Sequence, residues 1–238
     1  MPPIMNGPVL PMARAGKNGA SGYRMVKRGS DRADVYLYGL IGTDWYGDGV
    51  SAKKFADDLK ALGASIKTID LRINSEGGDV FAGKAMYTLL LDHSARVVVH
   101  VDGLAASAAS FVAMAGDEIE IAEGAFVMIH NAWTWAVGGA EDMRRKADLL
   151  DTVNETIREV YVARTKNTDA DVRKWMDAET WMTGKEAVER GFADKIVENL
   201  KVAASVSHPE SFRNLPQALR PKRARLAAML QDLKRPRT

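Results

Sequence analysis

Short runs rich in β-branched residues alternate along this chain with longer segments whose apolar residues recur at helical spacing. The predicted strands are 34–41, 66–73, 97–101, 118–121 and 126–129. The predicted helices are 51–62, 80–91, 108–115, 140–164, 168–176 and 184–190. A last apolar stretch at 192–197 closes the pattern. The alternation predicts an α/β domain.

The predicted helix 140–164 is long for a globular protein. Its apolar stripe runs from Met143 through Leu150 and Ile157 to Tyr161. A helix of this length is expected to project from the domain, and its stripe then needs a partner. Self-association is the simplest way to cover it.

The composition divides the chain into three parts: a flexible arm at 1–30, a folded domain at 31–199 and a basic extension at 200–238. The arm is rich in Pro, Gly and basic residues without periodicity. The whole chain carries a net charge of +2, whereas nine basic and two acidic residues give the extension +7 and leave −5 on residues 1–199. Contact with phosphates is conceivable, but we do not expect a nucleic-acid partner because no reading module accompanies the charge.

Several classes of chemistry are excluded or disfavoured. The chain contains no cysteine, which excludes disulfides, thiolate catalysis and Cys-ligated zinc. Its four histidines lack metal-site spacing, so we expect neither a metal nor another cofactor. No apolar run reaches the roughly 18 residues of a membrane span, and the first residues do not resemble a signal peptide. We therefore expect a cytoplasmic protein.

The strongest candidate for chemistry is Ser107, in a run of small residues at 103–110 between a predicted strand and a predicted helix. Free N–H groups at a helix N-terminus favour developing negative charge, which suits a nucleophile. An ordinary helix N-cap is the alternative. The spacing does not fit the G-x-S-x-G elbow of α/β-hydrolases.

Two further features bear on this chemistry. Gly77 and Gly78 fall in a predicted turn at 74–79, where an open backbone can present N–H groups to a ligand or simply connect two elements tightly. His130 follows the predicted strand 126–129. A histidine at this position is either a general base or a structural residue.

Four motifs then occur in a familiar order: N-S-E-G-G at 74–78, G-L-A-A-S at 103–107, M-I-H at 128–130 and W-M-T-G-K-E-A-V-E-R-G-F-A-D at 181–194. Over about 34–198 the chain resembles the Clp protease proteolytic subunits, serine peptidases of the ClpP/crotonase fold. The resemblance implies a spiral of β-β-α units with a long projecting helix.

The resemblance also implies site residues. Ser107 corresponds to the nucleophile, His130 to the general base, and Gly78 and Ala108 to the donors of the oxyanion hole. These roles suit attack on a peptide carbonyl with stabilisation of the resulting oxyanion.

The acidic member of the triad departs from the family pattern. The family usually has an aspartate two residues before the aromatic that aligns with Trp181, and that position is Glu179 here. Asp177 lies two residues earlier and is the alternate. Either carboxylate could orient the imidazole, and the register favours Glu179.

The stretches 38–45, 102–110 and 176–181 look closest to Clp-like proteases of tailed phages and prophages. That likeness implies a protease that cleaves scaffold or capsid precursor during head maturation, in the host cytoplasm. The basic extension would then bind the scaffold or the assembling shell. The resemblance also implies a ring-forming homo-oligomer in which helix 140–164 interlocks two stacked rings. Its substrate would be a polypeptide.

Three alternatives stay open. A housekeeping Clp core would need a separate ATPase unfoldase, because the chain has no Walker A sequence. A crotonase-type acyl-CoA enzyme would keep the oxyanion hole but make the pairing of Ser107 with His130 a coincidence. A non-catalytic structural ring is favoured only if neither Glu179 nor Asp177 reaches His130.

Overall fold

The computed structural model describes residues 22–43, 49–198 and 206–220. Most of the predicted arm, Asp44 and Trp45 of the phage-like stretch, and both ends of the basic extension lie outside these ranges.

Nine strands form one sheet in the described residues, ordered β1-β2-β4-β5-β6-β9 with β3, β7 and β8 attached at its sides. They are β1 Arg24–Arg28, β2 Arg32–Thr43, β3 Gly49–Val50, β4 Thr68–Gly78, β5 Arg96–Ala106, β6 Glu118–Ala122, β7 Phe126–Ile129, β8 Thr180–Thr183 and β9 Lys195–Val197. The path from β2 to β9 is parallel, and β7 runs parallel to β5 but antiparallel to β8.

The helices are α1 Ala52–Leu62, α2 Val80–Leu91, α3 Ala108–Ala113, α4 Ala140–Thr165, α5 Asp169–Asp177 and α6 Gly184–Glu189. They confirm the six predicted helices to within two residues at each end. Local chemistry sets the boundaries: the Ser51 hydroxyl accepts from the Lys54 amide at 3.1 Å, and Thr183 forms a capping box with Glu186. In the described ranges, no helix combines the length and apolar composition that crossing a membrane requires.

Two strands run past their predicted ends. The expected turn at 74–79 is instead the end of β4, which stays paired with β2 up to Gly78. β5 was expected to end at 102–103, but it continues to Ala106. On one side it stays paired with β4 as far as Ala105, and on the other its partner changes from β6, up to Val101, to β7, from Leu104 onward. The change of partner preserves the backbone hydrogen bonds of β5 beyond the point at which the local sequence predicts its end.

Strand β1 lies within the range predicted to be a flexible arm. It pairs antiparallel with β2 from Arg24 to Arg28. Four of its five side chains are exposed, so this edge strand lacks the alternation that signals a strand in sequence. The sheet therefore begins before residue 30.

Asp102 connects β5 to β4 and β2 shortly before Ser107. Its side chain is fully buried and accepts from the Arg72 guanidinium of β4 and, at 2.5 Å, from the Tyr38 hydroxyl of β2. Burial and the Asp102 carboxylate raise the pKa of Tyr38 to about 12. This network positions the strand that leads to the site.

The two halves of helix α4 differ in burial. Its buried residues, Ile157, Arg158, Tyr161 and Thr165, all lie in its C-terminal half. Along the N-terminal half, Met143 and Leu149 are exposed apolar side chains. With 26 residues the helix is about 39 Å long, so a substantial part extends beyond the core.

Candidate active site

Ser107 occupies a sharp turn between β5 and α3. Its φ of 53° and ψ of −125° lie in a region that residues other than glycine rarely adopt. The Ser107 amide donates to the Met128 carbonyl oxygen at 2.9 Å, which holds the turn against β7. Ser107 occupies the N-cap position of α3, but its side chain makes no capping hydrogen bond, so it is not an ordinary N-cap. Backbone strain of this kind is typical of functional sites.

His130 lies beside Ser107 because of how the strands pair. In the parallel ladder of β5 and β7, Ala106 lies opposite Met128, so both chains leave the sheet at the same edge. His130 Nε2 is 2.7 Å from Ser107 Oγ, a good hydrogen bond. The imidazole is largely buried. Such a pair can activate the hydroxyl if Nδ1 carries the ring proton.

Glu179 is the carboxylate that the structure places next to the imidazole. The antiparallel ladder of β7 and β8 sets Ile129 opposite Thr180, which brings Glu179 alongside His130. Glu179 Oε2 lies 3.9 Å from His130 Nδ1, within ion-pair distance but longer than a hydrogen bond. Like Ser107, Glu179 has a positive φ, of 49°, and its side chain is buried.

Asp177 is placed differently. It is the last residue of α5 and accepts a hydrogen bond from the Asn131 side-chain amide at 2.7 Å. This contact is exposed and directs the carboxylate to Asn131. The structure therefore brings together Ser107, His130 and Glu179.

The glycine pair at the end of β4 lies against the Ser107 turn. A Cβ at Gly77 would be 2.6 Å from the Ala106 carbonyl oxygen and 2.9 Å from the Ala108 nitrogen. A Cβ at Gly78 would meet the Ile41 carbonyl oxygen at 2.1 Å. Both have positive φ, so only glycine allows β4 to lie this close to the Ser107 turn at Gly77 and to β2 at Gly78. Gly78 and Ala108, the two predicted oxyanion donors, flank this contact.

Comparison with known proteins agrees with this geometry. The family model described as Clp protease matches residues 24–200. The chain belongs to the Clp protease family. The predicted ClpP-like α/β fold is thereby confirmed, and the family is one of peptidases.

Two curated Clp relatives show the extent of the similarity. The chain is 30% identical to ATP-dependent Clp protease proteolytic subunit 3 of Streptomyces coelicolor over 210 residues, 84% of this chain and 94% of the relative. It is 31% identical to ATP-dependent Clp protease proteolytic subunit 1 of Leifsonia xyli over 167 residues, 67% of this chain and 85% of the relative.

One part of the candidate site was not predicted from the sequence. Phe212, Arg213 and Asn214, from the predicted basic extension, contact His130 and Glu179. The available signal was a cluster of apolar residues, Phe212, Leu215 and Leu219, before the most basic stretch. No group of His, Asp and Glu side chains within 22–43, 49–198 and 206–220 is arranged to hold a metal ion.

Burial lowers the pKa of His130. The low-polarity surroundings disfavour the imidazolium, the Glu179 carboxylate opposes this effect, and the Arg213 guanidinium adds to it. The net direction is below the ordinary value of 6.5.

We therefore predict that peptidase activity persists below pH 6.5. An imidazole must be neutral to accept a proton from a hydroxyl, so activity that depends on His130 falls as the pH drops through the lowered pKa. The measurement is the pH dependence of kcat/KM for a fluorogenic peptide. Glu179→Gln should move the acid limb to still lower pH, because it removes the charge that favours the imidazolium. An acid limb at or above pH 6.5 in the wild type would contradict this account.

Proposed function

We propose that the protein is a serine endopeptidase with Ser107 as nucleophile and His130 as general base. The observation that carries the proposal is the 2.7 Å hydrogen bond between His130 Nε2 and the hydroxyl of a strained, non-capping serine. Membership of a protease family supports the same reaction class.

The mechanism follows from the residues present. His130 takes the Ser107 proton as Oγ attacks the peptide carbonyl, and the amides of Gly78 and Ala108 stabilise the oxyanion of the tetrahedral intermediate. His130 then protonates the departing amine, leaving an acyl-enzyme. In the second half of the reaction His130 takes a proton from a water molecule as that water attacks the ester carbonyl. His130 then donates this proton to Ser107 Oγ as the carboxylic acid product leaves.

We assign the acidic role to Glu179. It is 3% exposed and faces Nδ1, so its charge can stabilise the imidazolium that forms during the reaction. Asp177 is engaged with Asn131. The nearby Glu179 disfavours the non-catalytic ring, and the Ser107–His130 bond disfavours the acyl-CoA enzyme, in which that pair would have no role.

For the biological role we propose phage head maturation, with scaffold or capsid precursor as substrate in the host cytoplasm. The support is the likeness of the stretches 102–110 and 176–181 to phage Clp-like proteases, together with the basic extension. The second candidate is a core fed by an ATPase unfoldase. It is favoured by two relatives that are named ATP-dependent Clp protease subunits.

We predict that Ser107→Ala and His130→Ala each reduce kcat for peptide hydrolysis by about 10⁶-fold, to the background, because each removes a group that the reaction requires. Ser94→Ala, at an exposed serine between α2 and β5, is the matched control and should retain full activity. Circular dichroism checks that the variants fold. Full activity of folded Ser107→Ala would contradict the assignment.

The two biological roles predict different requirements. A head-maturation protease should cleave purified scaffold or coat protein of its own phage without ATP, at a few defined sites visible by gel electrophoresis and mass spectrometry. An unfoldase-fed core should leave a folded substrate intact until a Clp ATPase and ATP are added. Ser107→Ala is the control in both reactions.

We also propose that the chain forms a ring-shaped homo-oligomer through α4 and the preceding loop. Trp135 is 74% exposed and Val137 fully exposed, and both precede the exposed apolar residues of the helix. Such a surface is typical of a protein interface.

Sedimentation velocity tests this assembly. We predict that the wild type sediments as a multiple of 26.0 kDa and that Leu149→Glu shifts it to smaller species, because the substitution puts a charge into an apolar contact. Ala61→Glu introduces the same charge at an exposed position of α1 and should not change the assembly. A wild type that sediments as a monomer at micromolar concentration would contradict the proposal.

A further inference from the structure

Residues 206–220, here called the C-terminal segment, lie beyond the range that the family model matches and cover one side of the candidate site. Val206, Leu215 and Leu219 are buried against the ends of β5 and β7. The residues they cover are Leu104, Ala106 and Met128, which form a cluster separate from the main core. Ala106 immediately precedes Ser107, so this packing adjoins the nucleophile.

Phe212 brings the segment to the imidazole. Its ring centroid lies 6.4 Å from that of His130 and 5.2 Å from that of Trp181, which it meets edge-on. The aromatic contact with Trp181 fixes the segment next to the strand that follows Glu179. Phe212 therefore helps to exclude water from the base.

The next two residues bind the acidic side chain through their backbone. The Arg213 amide donates to Glu179 Oε2 at 3.0 Å, and the Asn214 amide donates to Glu179 Oε1 at 2.6 Å. The Asn214 side-chain amide also donates to the Ala178 carbonyl oxygen at 2.6 Å. A buried carboxylate requires such donors, and two on separate oxygens fix its orientation as well as its position.

The C-terminal segment also binds β4, the strand that ends in the glycine pair. The amides of Ser207 and His208 both donate to the Glu76 carboxylate, the latter at 3.2 Å. Glu76 precedes the glycine pair in the N-S-E-G-G motif. The C-terminal segment is thus tied to the elements that carry both the acid and the predicted oxyanion donor.

We propose that the C-terminal segment is a positioning element of the active site, in which the amides of Arg213 and Asn214 hold Glu179 beside His130. The inference rests on the proposed serine peptidase function. It accounts for the departure from the family pattern: a glutamate has one more rotatable bond than an aspartate, and the two amides restrict that freedom.

An inhibitory segment, which would hold Glu179 away from His130, predicts different experimental results. At 3.9 Å from Nδ1, Glu179 would move closer to His130 on release if the segment were restraining it. The reaction would then accelerate, and the imidazole, which faces the charges of Glu179 and Arg213, would gain basicity. A positioning element predicts the reverse of both effects.

The test removes the Asn214 amide on its own. Asn214→Pro deletes the N–H that donates to Glu179 and also the side-chain bond to the Ala178 carbonyl oxygen. Asn214→Ala loses the same side-chain bond but keeps the N–H, so it is the matched control. A truncation after residue 205 removes the whole segment, and a truncation after Arg220 leaves the segment and removes only the residues beyond it. Each full-length or truncated protein is reacted with a fluorophosphonate, and the inactivation rate constant is measured against pH.

We expect Asn214→Pro and the truncation after residue 205 to react at least about tenfold more slowly, short of the roughly 10⁴-fold loss on disabling a triad acid. The acid limb of Asn214→Pro should move to lower pH, because His130 loses its nearby carboxylate. Asn214→Ala and the truncation after Arg220 should behave like the wild type. If the protein truncated after residue 205 fails to fold, the result for Asn214→Pro alone tests the inference.

Unchanged or faster inactivation of Asn214→Pro would overturn the inference, and faster inactivation would identify the segment as an inhibitor. A wild type that does not react would instead overturn the proposed function and with it the inference. The two failures are therefore distinguishable.

Discussion

The parallel pairing of β5 with β7 is the constraint on which the site depends. It sets Ala106 opposite Met128, so Ser107 and His130 emerge together at one edge of the sheet. The same ladder lets the Met128 carbonyl oxygen accept from the Ser107 amide, which holds the strained turn in place. A shift of register by one residue would put the two side chains on opposite faces of the sheet and separate Ser107 from His130.

The acid member depends on a second ladder and on a segment distant in sequence. β8 pairs antiparallel with β7 and carries Glu179 to the far side of the imidazole. The amides that orient its carboxylate come from Arg213 and Asn214, more than thirty positions further along the chain. The positions of Ser107 and His130 therefore depend on sheet geometry, whereas that of Glu179 also depends on how residues 206–220 pack.

Much of this could be predicted from the sequence, for reasons that are local. The helices follow from their spacing and caps, as at Ser51 and Thr183, and the candidate residues follow from the order of four motifs. The prediction was less accurate where structure depends on distant partners. β4 continues through its glycines because it stays paired with β2, and β5 continues past Gly103 because β7 becomes its neighbour. β1 is an edge strand with little alternation.

The contribution of residues 206–220 could not be predicted, because the basic residues beyond them dominated the composition of the extension. The bonds that join them to Glu179 are made by backbone amides, which leave no trace in side-chain identity. The choice between Glu179 and Asp177 is of the same kind, since register alone favours one and the contact of Asp177 with Asn131 becomes visible only in three dimensions.

The central claim is that Ser107 is a nucleophile activated by His130. The most direct measurement is to locate the fluorophosphonate adduct by peptide mass spectrometry in the wild type and in His130→Ala. The account predicts one modified residue, Ser107, in the wild type and no adduct in the variant. A folded wild-type protein that carries no adduct, or carries it on a different serine, would contradict the account.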